Sequence, residues 1–354
     1  MVISKKGLEN FFALFFSFLT LILMLFFAII RVASKFNVLK LDFLGVISSR
    51  LVFFKSTFNK QPFEDLHETE ADLDDETLTE KYVEKQETKN NSLGQKSKIT
   101  EIKYSANGTR FENFYFKNTT GREVEIKDYL SRKLNLKTPK KGEPAVLIYH
   151  THTTESYNSC DSEYFDETFY PRSQNPSENV VAVGKEIAKA LEECGIKTIH
   201  ETTIHDLPSY TGSYSRSAET VKANVKKYPT IKIVLDIHRD SILDGANGKI
   251  KPVFTINGQK AAQIMIICGC GASSKSPYPN WEKNLTLALH LQRQCENLFP
   301  GVTRALLHSN VKYNQDLTPG SLLIEVGSDV NTPEEAKRSG AMVGKAVSSL
   351  FSKA

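Results

Sequence analysis

Two histidines stand at the end of an apolar run in the stretch VLIYHTHTTESY, residues 146–157. His150 and His152 flank a single threonine, and Glu155 lies just beyond them. An apolar run rich in β-forming residues predicts a buried strand, so both imidazoles are expected at the edge of a sheet. Imidazole binds metals and exchanges protons near neutral pH. This edge is therefore a candidate for metal or acid–base chemistry.

Two other apolar runs end in polar residues of a similar chemical kind. They are IKIVLDIHRDS, residues 231–241, and SLLIEVGS, residues 321–328. Functional groups in open α/β sheets collect at the carboxyl ends of the strands, so three such strands can bring their polar residues together. The two runs supply Asp236, His238, Arg239, Asp240 and Glu325.

A predicted helix adds one more carboxylate. The stretch NPSENVVAVG places Glu178 in the first turn of a helix predicted over residues 178–194. The positive end of the helix dipole favours a carboxylate there, and such a glutamate is usually only a capping charge. If this helix follows the first strand and packs on the sheet, its start faces the same edge as the histidines.

Two histidines and a glutamate form the donor set of a catalytic zinc ion, which takes three protein ligands and leaves one position for water. A separate carboxylate would then take a proton from that water. Each of these residues taken singly is more often a hydrogen-bonded structural group. The pattern alone therefore leaves a metal site and a structural role both open.

Several other functional classes receive no support. The chain has no G-x-S-x-G elbow and no glycine-rich phosphate loop with its lysine. A formal net charge of +4 is too small to indicate nucleic-acid binding. The five cysteines are irregularly spaced, which predicts structural, unpaired thiols rather than a disulfide framework.

The N-terminal part of the chain differs from the rest in composition. Residues 11–30 form an uncharged apolar run long enough to span a bilayer, and no cleavage site is evident. We therefore expect a short tail over residues 1–10 and a retained transmembrane anchor over 11–32. Residues 33–100 are expected to form a juxtamembrane segment and an acidic, disordered stalk. A catalytic domain is expected over 101–354.

The C-terminal part alternates between predicted strands and helices. Apolar β-rich runs occur at 145–149, 196–200, 231–237, 263–267 and 321–326, and helical patterns at 178–194, 216–227, 280–299 and 333–351. This alternation predicts an α/β domain with a mixed, mostly parallel central sheet and helices on both faces.

Five segments, in order along the chain, resemble the stage II sporulation protein P family. They are IYHTHTTESY, NVVAVGKEIAKALEECGI, YTGSYSRSAETV, LDIHRDS and LLIEVGS. The resemblance runs from about residue 143 to the C-terminus and is specific because the spaced motifs keep their order. That family belongs to the zinc-dependent N-acetylmuramoyl-L-alanine amidases, which share an α/β fold. The resemblance implies this amidase-type fold.

The resemblance also implies site residues. His152, Glu178 and His238 match the zinc ligands, and Glu325 matches the catalytic glutamate. His150 is the alternative to His152 as a ligand, or a residue that orients the site or the substrate from behind the ligands. Further candidates for second-shell or substrate-binding roles are Arg216, Arg239, Asp240 and Tyr214.

The reaction implied is hydrolysis of the amide that joins N-acetylmuramic acid to L-alanine in peptidoglycan, with Zn²⁺ as cofactor and peptide cross-links as a possible second target. The resemblance further implies a single-pass protein of the cell membrane with an extracytoplasmic domain. It would lie on the mother-cell side of the sporulation septum and act in septal wall degradation during engulfment. The implied partners are the sporulation lytic transglycosylase (protein D) and the membrane scaffold (protein M), with no nucleic acid. Two alternatives stay open: an anchored wall-binding scaffold with an inactive amidase fold, and a metal hydrolase with another substrate, such as a deacetylase.

Overall fold

A computed structural model describes residues 96–351 except 106, 139, 141, 167–169, 246–247 and 272–277. The expected tail, anchor and most of the expected stalk lie outside the described residues. Within the described part, no helix is long and apolar enough to cross a membrane. The first strand begins at Lys96, earlier than the domain boundary expected at residue 101.

Twelve strands and five helices, plus one short 3₁₀ helix, make up the described part of the chain. The strands are β1 Lys96–Ile102, β2 Thr109–Phe111, β3 Phe114–Asn118, β4 Val146–Tyr149, β5 Tyr164–Asp166, β6 Thr198–His200, β7 Ile233–Asp240, β8 Gly248–Ile256, β9 Gln259–Ala262, β10 Ile264–Gly269, β11 Leu306–Ser309 and β12 Ser321–Ser328. The helices are α1 Ile126–Ser131, α2 Val180–Glu193, α3 Ser213–Lys227, α4 Trp281–Leu298 and α5 Pro333–Ser348, and the 3₁₀ helix is Gln315–Leu317.

The larger sheet has eight strands in the order β2-β3-β11-β10-β12-β7-β4-β6. Parallel pairings join β3 to β11, β11 to β10, β12 to β7, β7 to β4 and β4 to β6. Strand β10 runs antiparallel to β12, and β2 antiparallel to β3. The sheet is thus mixed, and the expectation of a mostly parallel sheet is corrected by the antiparallel strand β10 in its interior, next to β12. Between β7 and β10 the described part of the chain passes through β8 and β9 and through no helix, so no helical crossover of the kind that makes strands parallel links β10 to β7.

A second sheet of four strands, in the order β5-β1-β8-β9, was not predicted from the sequence. Its strands β1 and β8 are parallel, whereas β5 and β9 pair antiparallel at the two edges. Strand β1 is charged and polar, with only alternate residues buried, so the composition of KSKITEI resembled the stalk. This alternation is the mark of a half-buried strand.

Helices cover both faces of the larger sheet, so the expected α/β architecture is confirmed. On one face, Val146, Ile148 and Ile324 pack with the apolar residues of α2, α4 and α5 in the main core. On the other face, Leu147, Tyr149 and Val234 pack against α3 through Val221. The polar site lies on the α3 face.

Candidate metal centre

Two histidines, His150 and His152, follow strand β4, and the end of the strand determines where each of them lies. Val146 and Ile148 face the main core, whereas Leu147 and Tyr149 face α3. Side chains alternate between faces along a strand, so the next residue, His150, continues toward the main-core side. Residues 151–154 then form a turn, which releases His152 from this alternation. The two histidines therefore enter different environments.

His150 is fully buried and lies away from the other candidate ligands. Its Nδ1 donates to the carbonyl oxygen of Ile237 at 3.0 Å, and its Nε2 lies 3.0 Å from Nε2 of His200. Burial, with the nearby His200, lowers the pKa of His150 to about 3, so the ring is neutral and its Nε2 accepts. A Cβ on Gly184 would lie 2.5 Å from His200 Nε2, so α2 can approach this pair only through a glycine.

The structure brings together His152, Glu155 and His238. One ligand atom from each lies within 4.8 Å of the others, and all three residues are buried. His152 Nδ1 is 3.4 Å from Glu155 Oε1, and His238 Nδ1 is 3.3 Å from Glu155 Oε2. Two imidazoles and a carboxylate converging in this way form the three-ligand donor set of a catalytic zinc site.

Asp236 fixes the orientation of His238. Its Oδ1 lies 2.9 Å from His238 Nε2, and it also accepts hydrogen bonds from the backbone and hydroxyl of Thr151 at 2.8 and 2.6 Å. With Nε2 held by the carboxylate, Nδ1 of His238 faces Glu155. A carboxylate behind a histidine ligand selects its tautomer and raises its basicity. Asp236 would therefore support His238 if this imidazole bound a metal.

Glu155 and His238 carry opposite charges, whereas His152 is neutral. Burial acts against ionisation of Glu155, but the charge of His238 and hydrogen bonds from both histidines hold the pKa of Glu155 well below its usual range. Burial likewise opposes protonation of His238, yet the Asp236 and Glu155 carboxylates raise its pKa well above the ordinary value. Burial lowers the pKa of His152, so this ring is neutral. Metal binding here would release a proton from His238.

Tyr210 and Arg172 surround His152 on the solvent side. The ring of Tyr210 stacks on that of His152 with centroids 4.4 Å apart. Arg172 lies over the Tyr210 ring at 4.8 Å, donates to Asp206 at 2.8 Å and approaches Glu155 Oε1 at 3.8 Å. These contacts hold one wall of the site, and nothing in the local sequence around Arg172 had indicated them.

Tyr214, a predicted substrate-binding residue, lies in α3 beside the same histidine. Its ring meets that of His152 edge-on at 5.6 Å, and it packs near Tyr313 with centroids 6.3 Å apart. Burial raises the pKa of Tyr214 well above its ordinary value, so the hydroxyl keeps its proton. The structure therefore brings Tyr214 to the site.

Glu325 is the neighbour of His238 in the adjacent strand. The two residues are partners in the parallel pairing of β12 with β7. Paired residues in neighbouring strands present their side chains to the same face of a sheet. Glu325 is 2% exposed and His238 is 3% exposed, so the carboxylate lies beside the cluster in a buried environment.

Glu178, a predicted zinc ligand, is not brought to the histidines. Asn179 is the N-cap of α2, so Glu178 precedes the helix rather than lying in its first turn. Its exposed carboxylate accepts hydrogen bonds from Ser173 at 2.9 Å and from Asn175 at 2.7 Å. In the described part of the chain, Glu155 occupies the place that the sequence interpretation gave to Glu178. The signal that could have identified Glu155 is its position in the sequence, just beyond His152.

Arg216 and Arg239, which were predicted to support the ligands or to bind substrate, hold loops together. Arg216 donates to the carbonyl oxygens of His205 at 2.5 Å and of Thr211 at 3.0 Å. Arg239 donates to the carbonyl oxygens of Ser156 at 3.1 Å and of Pro171 at 2.8 Å. These bonds direct both guanidinium groups at the backbone of the loops that surround the cluster.

Asp240 ends strand β7 and forms an ion pair with Arg304. Its Oδ2 accepts a hydrogen bond from Arg304 at 2.5 Å, and its Oδ1 accepts one from the backbone of Ser241 at 2.7 Å. Asp240 therefore lies near the cluster without belonging to the group of possible metal ligands.

Comparisons with known proteins agree with the sequence resemblance. The model of the family "Stage II sporulation protein P (SpoIIP)" matches residues 40–348. The stage II sporulation protein P of Bacillus subtilis (strain 168) is 30% identical over 243 residues, which cover 65% of this chain. The match spans 57% of that relative, little more than half its length.

Two solved structures are also similar. The N-acetylmuramoyl-L-alanine amidase AmiC2 of Nostoc punctiforme is 11% identical, with a TM-score of 0.35, over 59% of this chain and 96% of that one. The CwlD amidase of Clostridioides difficile, solved in complex with the GerS lipoprotein, is 10% identical, with a TM-score of 0.36, over 58% and 98%. The family model covers most of the sequence, including every residue of the cluster and Glu325. The chain belongs to the stage II sporulation protein P family.

Proposed function

We propose that this protein is a zinc-dependent peptidoglycan hydrolase that cleaves the amide between N-acetylmuramic acid and L-alanine. The observation that carries the proposal is the convergence of His152, Glu155 and His238 beside Glu325 in a member of this family. A buried carboxylate next to such a donor set is the arrangement that metal-assisted amide hydrolysis requires.

The residues fit a zinc ion in number, type and support. They are two imidazoles and one carboxylate, which leave a tetrahedral ion one open position. The Asp236 carboxylate lies 2.9 Å from the far nitrogen of His238, which is the usual outer partner of a histidine ligand. His152, Glu155 and His238 would hold the ion, which would supply Lewis acidity to the scissile carbonyl and lower the pKa of water.

The chain's own residues supply the remaining functions. Glu325 would accept a proton from the attacking water and deliver it to the leaving amine, and its position beside His238 on the same face supports this role. Asp236 would keep His238 in the ligand tautomer, and Tyr210 packs against the ring of His152. The low exposure of Glu325, Asp236, His238 and His152 favours electrostatic interactions within the site.

The setting proposed for this activity follows from family membership and from the N-terminal sequence. The apolar run at 11–30 supports a single membrane anchor over 11–32, with the domain on the extracytoplasmic, mother-cell side of the sporulation septum. There it would degrade septal wall during engulfment, with the lytic transglycosylase protein D and the scaffold protein M as partners. Peptide cross-links are a second possible target of the same site.

The test is digestion of purified peptidoglycan by the metal-loaded protein, with mass spectrometry of the released fragments. We expect free stem peptides that begin with L-alanine, lost when zinc is removed by a chelator and restored when zinc is added back. Intact wall with bound zinc would instead favour the wall-binding scaffold. Released acetate without peptides would indicate a deacetylase. A cross-link cut would appear as peptides that remain attached to glycan.

A further inference from the structure

Tyr210 places a hydroxyl group at the solvent side of the metal-ligand cluster. Its ring stacks on that of His152, with centroids 4.4 Å apart and an angle of 28° between the ring planes. Its hydroxyl oxygen lies 3.5 Å from His152 Nδ1, the ring nitrogen that is 3.4 Å from Glu155 Oε1. The hydroxyl therefore lies at the edge of the imidazole where the possible ligand groups meet. Tyr210 is only half-buried, so a substrate can reach it.

Side chains of helix α3 fix the backbone around Tyr210. The guanidinium group of Arg216 donates to the carbonyl oxygen of Ser209 and, at 3.0 Å, to that of Thr211. Ser213, the first residue of α3, donates its hydroxyl to the carbonyl oxygen of Tyr210 itself. The three carbonyl groups from 209 to 211 thus all bind one helix. A group that is fixed in this way needs no rearrangement at the moment of reaction.

A second set of contacts fixes the ring of Tyr210. The guanidinium group of Arg172 lies over this ring at 4.8 Å and donates to Asp206 at 2.8 Å. Asp206 is buried and also accepts a hydrogen bond from the hydroxyl of Thr154 at 2.6 Å. A cation over an aromatic face is an attractive contact. Because Asp206 already balances the charge of Arg172, this arginine serves to hold the ring.

The proposed reaction needs a hydrogen-bond donor at this place. Negative charge develops on the carbonyl oxygen of an amide when water attacks it, and a fixed donor stabilises that charge. The ionised carboxylates of Glu155, Asp236 and Glu325 only accept hydrogen bonds, whereas a tyrosine hydroxyl donates one. If His152 binds the metal through Nδ1, this nitrogen no longer accepts a hydrogen bond from Tyr210. The hydroxyl can then donate to the substrate.

Tyr210 and Glu325 flank the cluster on opposite sides. Glu325 lies on β12, next to His238 of β7. Tyr210 stacks on His152, which follows β4, the strand on the other side of β7. An amide that crosses the cluster can therefore present its nitrogen to Glu325 and its carbonyl oxygen to Tyr210.

We propose that the Tyr210 hydroxyl donates a hydrogen bond to the carbonyl oxygen of the scissile amide as negative charge develops on that oxygen. The inference rests on the proposed amidase function and adds a catalytic residue to it. The interaction is made in the transition state and not with the planar amide, so it raises kcat and leaves the binding of substrate unchanged.

The test is Tyr210→Phe in the full chain loaded with zinc. Phenylalanine keeps the ring against His152 and Arg172 and removes only the hydroxyl. On a muramyl peptide we expect kcat to fall about 10²–10³-fold with KM retained. Zinc affinity, measured by competition with a chromogenic chelator, should not change. Tyr164→Phe is the matched control, because Tyr164 is 51% exposed on β5 of the second sheet.

A phosphinate analogue of the scissile amide gives a readout that does not depend on turnover. Its tetrahedral phosphorus carries a negative oxygen like that of the transition state. Tyr210→Phe should therefore raise the Kd of the analogue by about the same factor by which it lowers kcat. The Kd of the muramyl peptide itself is measured in Glu325→Gln, which should not turn it over. Adding Tyr210→Phe to that variant should leave this Kd unchanged. Calorimetry measures both constants.

Three results would overturn the donor role while leaving the amidase function intact. They are a wild-type kcat in Tyr210→Phe, a loss of zinc affinity in this variant, and an equal loss of affinity for peptide and analogue. If the wild-type chain cleaves no muramyl peptide, the proposed function itself fails. Tyr210 is then judged by the phosphinate alone. A Kd that Tyr210→Phe leaves unchanged, or no binding by the wild type, overturns the donor role in that case as well.

Discussion

His238 and Glu325 are direct neighbours across the parallel strands β7 and β12, the first in the metal-ligand cluster and the second beside it. Both are almost fully buried. The proposed metal-binding imidazole and the proposed acid–base carboxylate are thus held by the backbone hydrogen bonds of adjacent strands rather than by flexible loops. Sites on regular elements are positioned more accurately than sites on loops. The two proposed functions can therefore be tested separately, because a change at Glu325 leaves the three proposed ligands in place.

Glu325→Gln should abolish turnover and leave zinc content unchanged. The amide keeps the shape of the side chain but cannot carry the proton, and loss of a general acid–base group costs about 10²–10⁴-fold in rate. The measurement is kcat on a muramyl peptide together with zinc per chain after dialysis. Glu193→Gln, an exposed change at the end of α2, is the matched control. A parallel loss of zinc would place Glu325 among the ligands.

Glu155→Gln and Glu178→Gln should behave oppositely. Glu155 lies between the two histidines, so its amide should weaken zinc binding by at least the 10–100-fold that supporting residues cost, and activity should fall with it. Glu178 only accepts bonds from Ser173 and Asn175, so its variant should keep both zinc and activity. Competition with a chromogenic chelator measures both affinities. A zinc loss confined to Glu178→Gln would restore the ligand set expected from the sequence.

Asp236→Asn should weaken zinc binding about 10–100-fold without removing a ligand. The amide can still accept the hydrogen bond of the Thr151 backbone, but it lacks the charge that supports the far nitrogen of His238. The variant should bind zinc more weakly yet recover activity at a saturating zinc concentration. Asp128→Asn on the exposed surface of α1 serves as the control. Activity that stays absent at saturating zinc would indicate a role for Asp236 beyond orienting His238.

Much of the fold follows from periodicity. The apolar runs that became β4, β7, β10 and β12 were recognisable because buried strands read as continuous hydrophobic stretches. Strands β1 and β8 of the second sheet were not, since KSKITEI and GKIKPVFTI contain charged residues whose burial depends on distant partners. Lys251, for example, is buried only because Asp161, Glu335 and Glu101 surround its ammonium group.

The site was predictable where alternation along a strand determines it. Alternation along β4 sends His150 to the main core and would have separated it from His152. The sequence did not show which glutamate lies with the two histidines, because both Glu155 and Glu178 lie near turns. The cap residue decided it: Asn179 begins the helix and leaves Glu178 outside. Arg172 and Tyr210 lie in loops that only the folded chain brings to His152.

The folded domain should lose stability in mild acid, because the buried ring of His308 resists protonation. Burial lowers its pKa from 6.5 to about 4, and its Nδ1 lies 2.9 Å from the carbonyl oxygen of Cys268. The unfolded chain therefore binds the proton more tightly, and stability that is complete above pH 6.5 is lost as the pH falls toward 4. The loss is at most about 3 kcal/mol. Urea unfolding of the wild type and of His308→Asn between these pH values should show a flatter profile for the variant. Parallel profiles would contradict the assignment.

The domain should require residues that precede the boundary expected at 101. Strand β1 begins at Lys96, and Ser97 and Ile99 are buried, the latter against Phe165 and Val330. A chain that starts at residue 101 loses every register pairing of β1 with β5. It also loses the burial of Ile99, worth about 1.5–3 kcal/mol.

In a domain of this size that loss lowers the Tm by roughly 5–10 °C relative to a chain that starts at residue 95. Differential scanning calorimetry of the two fragments, both loaded with zinc, measures the difference. The cluster lies on the other sheet, so zinc content should be equal in the two fragments. Equal Tm values would show that β1 contributes nothing to the domain. A lower Tm for the shorter fragment, as we expect, would show that residues 96–100 belong to the domain, although their composition alone had assigned them to the stalk.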